Sequence, residues 1–194
     1  AGFTVQGLQQ GPALFIAVDP TTLTPAPARG DTVTFTITAM GTLNGLRQAT
    51  AITSFARNAT GVDVNTLSQD VSAATDLVSG LDGYESELVD LTATLAGGFV
   101  SAGPGFEKAT LTSAGITGDP NFTVRVPSTL RDGLDLVTGC ALALDNVPVG
   151  RLATQAQVGA FVAGDMVVTD CPAPTVVSAV AITSQPSLFI FSIT

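Results

Sequence analysis

The chain has 194 residues, 45% of them hydrophobic and only 12% charged, with 16 acidic against 7 basic side chains for a net charge of −9. It holds no His, no Trp, one Tyr (Tyr84) and two Cys. The acidic balance excludes nucleic acid as a partner, because phosphates are held mainly by Lys and Arg, and the missing His removes the one side chain that titrates near neutral pH unperturbed. Such a length suits one domain with a core large enough to need no metal, and no apolar run is long enough to span a membrane as a helix.

The opening Ala1-Gly2-Phe3, without Met, is expected to be a processed N-terminus of an exported chain, with tag cleavage as the alternative. Residues 1–12 read as an arm: Phe3, Val5 and Leu8 alternate with Gln and Gly, Gln6, Gln9 and Gln10 are expected to stay wet, and Gly11-Pro12 ends the segment. The run Leu14–Val18 suggests a short strand buried on both faces. Residues 20–30, with three prolines, read as a surface loop.

Asp31 to Thr38 is the clearest strand. Val33, Phe35 and Ile37 face one way, and Thr32, Thr34, Thr36 and Thr38 the other, which is the pattern of a strand with one wet face. Asn44-Gly45 then predicts a tight hairpin turn into a second strand over Leu46 to Phe55.

At residue 66 the pattern changes. Leu67, Val71, Ala74, Val78 and Leu81 follow three-and-four spacing, with Thr66 and Gln69 placed as a capping-box pair. Leu88, Leu91 and Leu95 suggest a second helix ending at Gly97-Gly98, after a turn at Gly80 and Asp82-Gly83. The expectation is a helical insertion packed through Leu67, Val71, Val78, Leu88, Leu91 and Leu95.

Strand signals return after residue 99, over Asn121–Val126, Leu134–Leu144, Val158–Val162 and Asp165–Thr169. From Pro172 to Thr194 there is no charged residue. Ser187–Thr194 carries Leu188, Phe189, Ile190, Phe191 and Ile193, and exposed it would aggregate. It is expected in the core of its own sheet, or paired with another copy.

Few residues could carry chemistry. Gly97-Gly98 with Gly103 and Gly105 is not followed by the Lys-Ser/Thr of a phosphate loop, and here the helical pattern precedes the glycines. A Ser-His-Asp triad needs His, and a Ser-x-x-Lys dyad fails because Gly105 stands three residues before Lys108. The glutamates Glu85, Glu87 and Glu107 lack the aromatic partners of a sugar cleft. Asp82, Glu85, Glu87 and Asp90 lack the alternating loop of a calcium site and read as a solvated acidic face. Cys140 and Cys171 cannot build a zinc site without His. They are expected to form a disulfide closing a loop of roughly thirty residues, with two buried free thiols as the alternative. Asn58-Ala-Thr60 and Asn121-Phe-Thr123 are N-glycosylation sequons, which makes Asn58 and Asn121 candidate acceptors.

Pro27-Ala-Arg-Gly30-Asp31-Thr-Val33-Thr-Phe35-Thr-Ile37 resembles the Pro-x-x-Gly-Asp-x-Val-x-Phe-x-Ile opening strand of Ig-like domains in prokaryotic surface proteins, among them TasA-like filament subunits. The resemblance covers about a dozen residues and lacks the Asn-x-Gly turn that often follows; Met40 to Gly45 stands there instead. It implies a β-sandwich at a cell surface.

The sequence therefore predicts a mainly β fold. It is expected to be an antiparallel β-sandwich, Ig-like or jelly-roll, with residues 1–12 as an arm, 13–194 as one domain and a helical insertion near residues 66–97. No enzyme activity and no cofactor are expected. The function that fits is a structural subunit of an extracellular, pilus-like filament, in which one subunit's strand completes the sheet of the next. Identical subunits are then the partners, with a host surface or matrix as a further one, and the arm residues Phe3, Val5 and Leu8 are the expected donor contacts. A virion surface or tail-tube protein and a monomeric cell-surface adhesion domain are the alternatives.

Overall fold

The computed structural model describes residues 2–173. Twelve strands form two sheets: β1 Phe3–Gln6, β2 Ala13–Ile16, β3 Thr32–Leu43, β4 Leu46–Ala59, β5 Gln69–Asp70, β6 Leu88–Leu95, β7 Val100–Ser101, β8 Phe106–Ser113, β9 Phe122–Pro127, β10 Ala141–Leu152, β11 Gln155–Gly159 and β12 Met166–Asp170. One short α-helix, α1 Ser128–Gly133, follows β9. The mainly β expectation holds. The arrangement is a closed barrel with a second sheet, in place of two facing antiparallel sheets.

The barrel runs β6-β8-β9-β11-β10 and returns to β6. Closure depends on the length of β10. Its first part pairs with β6, from Ala141↔Thr94 to Pro148↔Leu88, and its last part pairs with β11, from Val149↔Val158 to Leu152↔Gln155. The pairing with β6 ends at Pro148 and that with β11 begins at Val149, so one strand serves two neighbours in turn; a shift of register between Leu144 and Val147 lies within the part paired with β6. The β9–β11 pairing is parallel, as are β2–β4 and β5–β6, so the fold is not wholly antiparallel. Inward side chains fill the barrel, as in other small barrels: Val89, Leu91, Phe122, Val124, Leu144 and Val158 are almost fully buried. β12 pairs with β10 outside the ring.

The second sheet has the order β1-β2-β4-β3. The strand expected at 14–18 is β2, and it is half-buried, not enclosed on both faces: only Ile16 is fully buried.

The helical insertion at 66–97 does not form. Residues 64–67 make one 3-10 turn and 81–83 another, β5 lies between them, and Leu88–Leu95 is a strand. Leu91 and Leu95, four apart, satisfy a strand face as well as a helix face. Within β6, Val89, Leu91, Ala93 and Leu95 point inward with period two, and the Val and Thr residues around them favour a pleat. Before it, short polar side chains capture the backbone that a helix would need. Asp70 accepts from the Ser72 amide at 2.9 Å, the Ser72 hydroxyl accepts from the Thr92 amide at 2.8 Å, and Asp63, not Thr66, caps the first turn. Val71, Leu77 and Leu81 still reach the core from this irregular path.

Other boundaries moved too. Residues 134–140 are a connection, and β10 extends eight residues past the expected Leu144. β8 and α1 had no counterpart in the sequence reading; in β8, Ala109, Leu111 and Ser113 face inward.

Candidate assembly surface

The hairpin of β3 and β4 is the longest feature of the second sheet. Asn44 and Gly45 both have positive φ (51° and 91°), as a two-residue turn of this hand requires, and Leu43 faces Leu46 across it. The turn is fastened to the barrel. The Ala153 amide donates to the Asn44 carbonyl at 2.5 Å, beside the turn that joins β10 to β11. The Arg47 amide donates to Glu85 Oε1 at 2.8 Å, and Arg151 Nη1 donates to Glu85 Oε2 at 2.8 Å and to Asp82. These carboxylates, Glu85 foremost, hold the Arg151 guanidinium more firmly protonated than usual.

β3 pairs with β4 on one side; among the described residues its other edge has no partner. Its twelve residues include no charge and no proline. Exposed edges are ordinarily blunted by such residues, by shortness or by bulges. The β3–β4 ladder is irregular at four places, but at three of them the additional residue lies on β4; β3 carries one, at Thr38. Its edge is therefore regular on both sides of residue 38. Of the apolar face of the predicted strand, Ile37 is 41% exposed, and beyond that strand Met40 is 49% and Leu43 59% exposed. The sheet's other edge strand among the described residues, β1, is four residues long.

The arm residues lie against their own subunit. Phe3 faces Ile16 and Val5 faces Leu14 in the β1–β2 ladder, while Leu8 stands outside it, 64% exposed. Gln6, expected to stay wet, is the anchor. Its Nε2 donates to the Leu67 carbonyl at 2.8 Å and its Oε1 accepts from the Leu88 amide at 2.7 Å. Gln9 Nε2 donates to the Ser68 carbonyl at 2.8 Å. No local sequence signal marks these contacts, since the partners are some sixty to eighty residues away. Phe3 also lines a cleft of about 420 Å³ between the two sheets, with Phe15, Leu46 and Phe161.

Cys140 and Cys171 form a disulfide. Each flanks one strand of the β10–β12 pair, where Ala141 faces Asp170, so the bond staples the start of β10 to the end of β12. Asn58 lies exposed near the end of β4, and Asn121, half-buried, precedes β9 and accepts from the Thr154 hydroxyl at 3.3 Å.

The four acidic residues expected as one solvated face are divided among separate roles. Asp82 and Glu85 hold Arg151, and Asp90 accepts from the Ser68 hydroxyl at 2.7 Å and from the Asn146 amide at 2.8 Å. Glu87 is buried, 2% exposed. Burial raises its carboxyl above the usual glutamate range, against hydrogen bonds from the Gly11 amide and Gln69 that favour the charged form. It lines a cleft of about 760 Å³ with Pro12, Met40, Arg47 and Arg151. Among the described residues no three metal-ligating side chains of His, Cys, Asp or Glu gather in one place, and no helix is long and apolar enough to cross a membrane. The tail at 187–194 lies outside the described residues.

Compared with known families and curated proteins, the chain matches no family model and no curated protein.

Proposed function

We propose that this chain is a non-catalytic structural subunit of an extracellular filament, built by β-strand addition between identical copies. The observation that carries this reading is β3: twelve residues without charge or proline, interrupted by a single bulge at Thr38, along an edge that has no partner among the described residues. A heterologous contact of this kind, strand into edge, leaves a new open edge on each added copy and so propagates without closing. The disulfide suits an oxidising location outside the cytosol. The Ig-like opening motif, which runs into β3, agrees with a surface protein, and the exposed Asn58 is then open to glycosylation in a cell that modifies exported chains.

Purified protein examined by size-exclusion chromatography and negative-stain microscopy tests the reading. Fibres are expected. Discrete rings or closed particles would turn the assignment toward a virion component, and stable monomers at all concentrations toward a lone surface domain.

A further inference from the structure

The cleft between the two sheets gathers polar groups that the fold itself does not use. We propose that this cleft binds a small carboxylic acid with an apolar body, the carboxylate on Arg125 and Gln157 and the body among the phenylalanine rings. This inference goes beyond the filament reading and stands without it.

The charge comes from β9. Arg29, Arg57, Arg131 and Arg151 each meet a carboxylate. Arg125 and Lys108 meet none among the described residues, and they face each other directly across the β8–β9 ladder. Like charges at one ladder position repel. Lys108 Nζ donates to Gln155 Oε1 at 2.7 Å, which is a neutral partner. The Arg125 guanidinium lies over the Phe106 ring, 4.2 Å from its centroid, with one long contact to the Ala102 carbonyl at 3.4 Å. Burial lowers the Arg125 pKa and no carboxylate acts against that shift, yet an arginine stays charged. An anion beside Arg125 would offset both the burial and the repulsion.

A second donor points to the same occupant. Gln157 lies on β11, two residues before Gly159, which faces Arg125 in the β9–β11 ladder. Both Arg125 and Gln157 line the cleft. Gln157 Nε2 is buried and has no acceptor among the described residues. A buried donor without a partner costs free energy, and a carboxylate oxygen supplies the partner. Ser86, 3% exposed, lines the cleft as well and holds a φ of 71°. Residues other than glycine seldom adopt that conformation, and those that do gather at ligand sites.

The rest of the wall is apolar, with Phe3, Phe15, Leu46 and Phe161. Two of the rings lie close against glycine backbone. A Cβ on Gly2 would stand 2.3 Å from the Phe15 ring, and one on Gly159 2.6 Å from the Phe161 ring. The volume of about 420 Å³ falls in the range of roughly 300–1,000 Å³ that small-molecule sites occupy. The larger cleft suits a carboxylate less: its Arg151 is already held by Asp82 and Glu85, and Glu87 lines it too. The net charge of −9 does not bar an anion, since at physiological salt exposed charges more than about 8 Å away are largely screened.

Isothermal titration calorimetry on the full chain tests the site, with phenylbutyrate as the probe and phenylbutanol and acetate as controls. Phenylbutyrate should bind at one site per chain. Phenylbutanol, which lacks the charge, and acetate, which lacks the body, should each bind about tenfold more weakly or worse. Arg125→Gln should weaken phenylbutyrate by a similar factor and leave phenylbutanol unchanged. Gln157→Leu should also weaken phenylbutyrate, while its thermal midpoint stays at or above wild type because the unpaired donor is gone. Arg57→Gln, a base outside the cleft, should leave the affinity as it is. The comparison of acid with alcohol uses the wild type alone, so a variant that misfolds leaves it intact. Equal affinity for the acid and the alcohol would overturn the pairing with Arg125. Unchanged affinity in Gln157→Leu, with a lowered midpoint, would overturn the role of Gln157 by giving it to the fold. No binding of phenylbutyrate at millimolar concentration would overturn the site. Fibre formation is read separately, so the filament reading survives or fails on its own experiment.

Discussion

The Leu88 amide donates to Gln6 Oε1 at 2.7 Å, and this one bond joins the N-terminal strand to the first strand of the barrel. Leu88 opens β6, and its amide has this partner because β6 meets β10 only from Leu88 onward and β5 only from Val89. The same side chain spends its amide nitrogen on the Leu67 carbonyl, so Gln6 closes two part-buried backbone groups at once.

Replacing Gln6 should therefore cost more than an ordinary surface change. Gln6→Ala leaves the Leu88 amide and the Leu67 carbonyl without their partners, and the expected loss is about 1–3 kcal/mol. Urea denaturation measures it. Gln10→Ala, at an exposed position, should lie within about 0.5 kcal/mol of wild type. Equal values for the two would mean that the segment is not held as described.

The Cys140–Cys171 bond should stabilise by restricting the unfolded chain. Its partners are 31 residues apart, which the chain-entropy account converts to roughly 3–4 kcal/mol. The double variant Cys140→Ser/Cys171→Ser should unfold at correspondingly lower denaturant. Intact-mass analysis, with alkylation before and after reduction, checks the bond itself: alkylation of both thiols in unreduced, denatured protein would contradict it.

Glu87 gives the fold a pH dependence with a definite sign. Its folded-state value is raised, chiefly by burial. The stabilisation of its protonated form is complete below the unfolded value, about pH 4.3, and is lost as pH rises through the raised folded value. Glu87→Gln, neutral throughout, should be more stable than wild type at pH 7 and should lose that advantage by about pH 4. Denaturation midpoints at both pH values decide it. A variant weaker than wild type at pH 7 would show that the bonds from Gly11 and Gln69 outweigh the burial.

The strand at 88–95 predicts an order of tolerance that a helix would reverse. Thr92 is exposed and Ala93 is 4% exposed. On a helix facing the core through Leu88, Leu91 and Leu95, Thr92 would sit among them. Thr92→Lys should change stability by about 0.5 kcal/mol or less, while Ala93→Lys should disrupt the barrel by burying an unpaired charge. Thermal unfolding of the two variants separates the cases.

The sequence by itself determined the β3–β4 hairpin and the disulfide pair. Alternation of Val33, Phe35 and Ile37 with threonines, followed by Asn44-Gly45, specifies two strands and their turn through residues a few positions apart. Two cysteines without His leave few alternatives to one bond. The absence of charge and proline over 32–43 is a property of the string, but that these residues form an edge was decided by the order of the sheet. Only the tertiary structure decided the rest. Leu88, Leu91 and Leu95 fit two periods, and the choice fell to β10, whose pairing with β6 supplies hydrogen bonds that an isolated segment lacks. The barrel closes because β10 serves β6 and β11 in turn, and the arm lies down because Gln6 meets partners 61 and 82 residues away. Local patterns fix what neighbouring residues can satisfy among themselves; which distant backbone groups satisfy the remainder is settled when the chain packs.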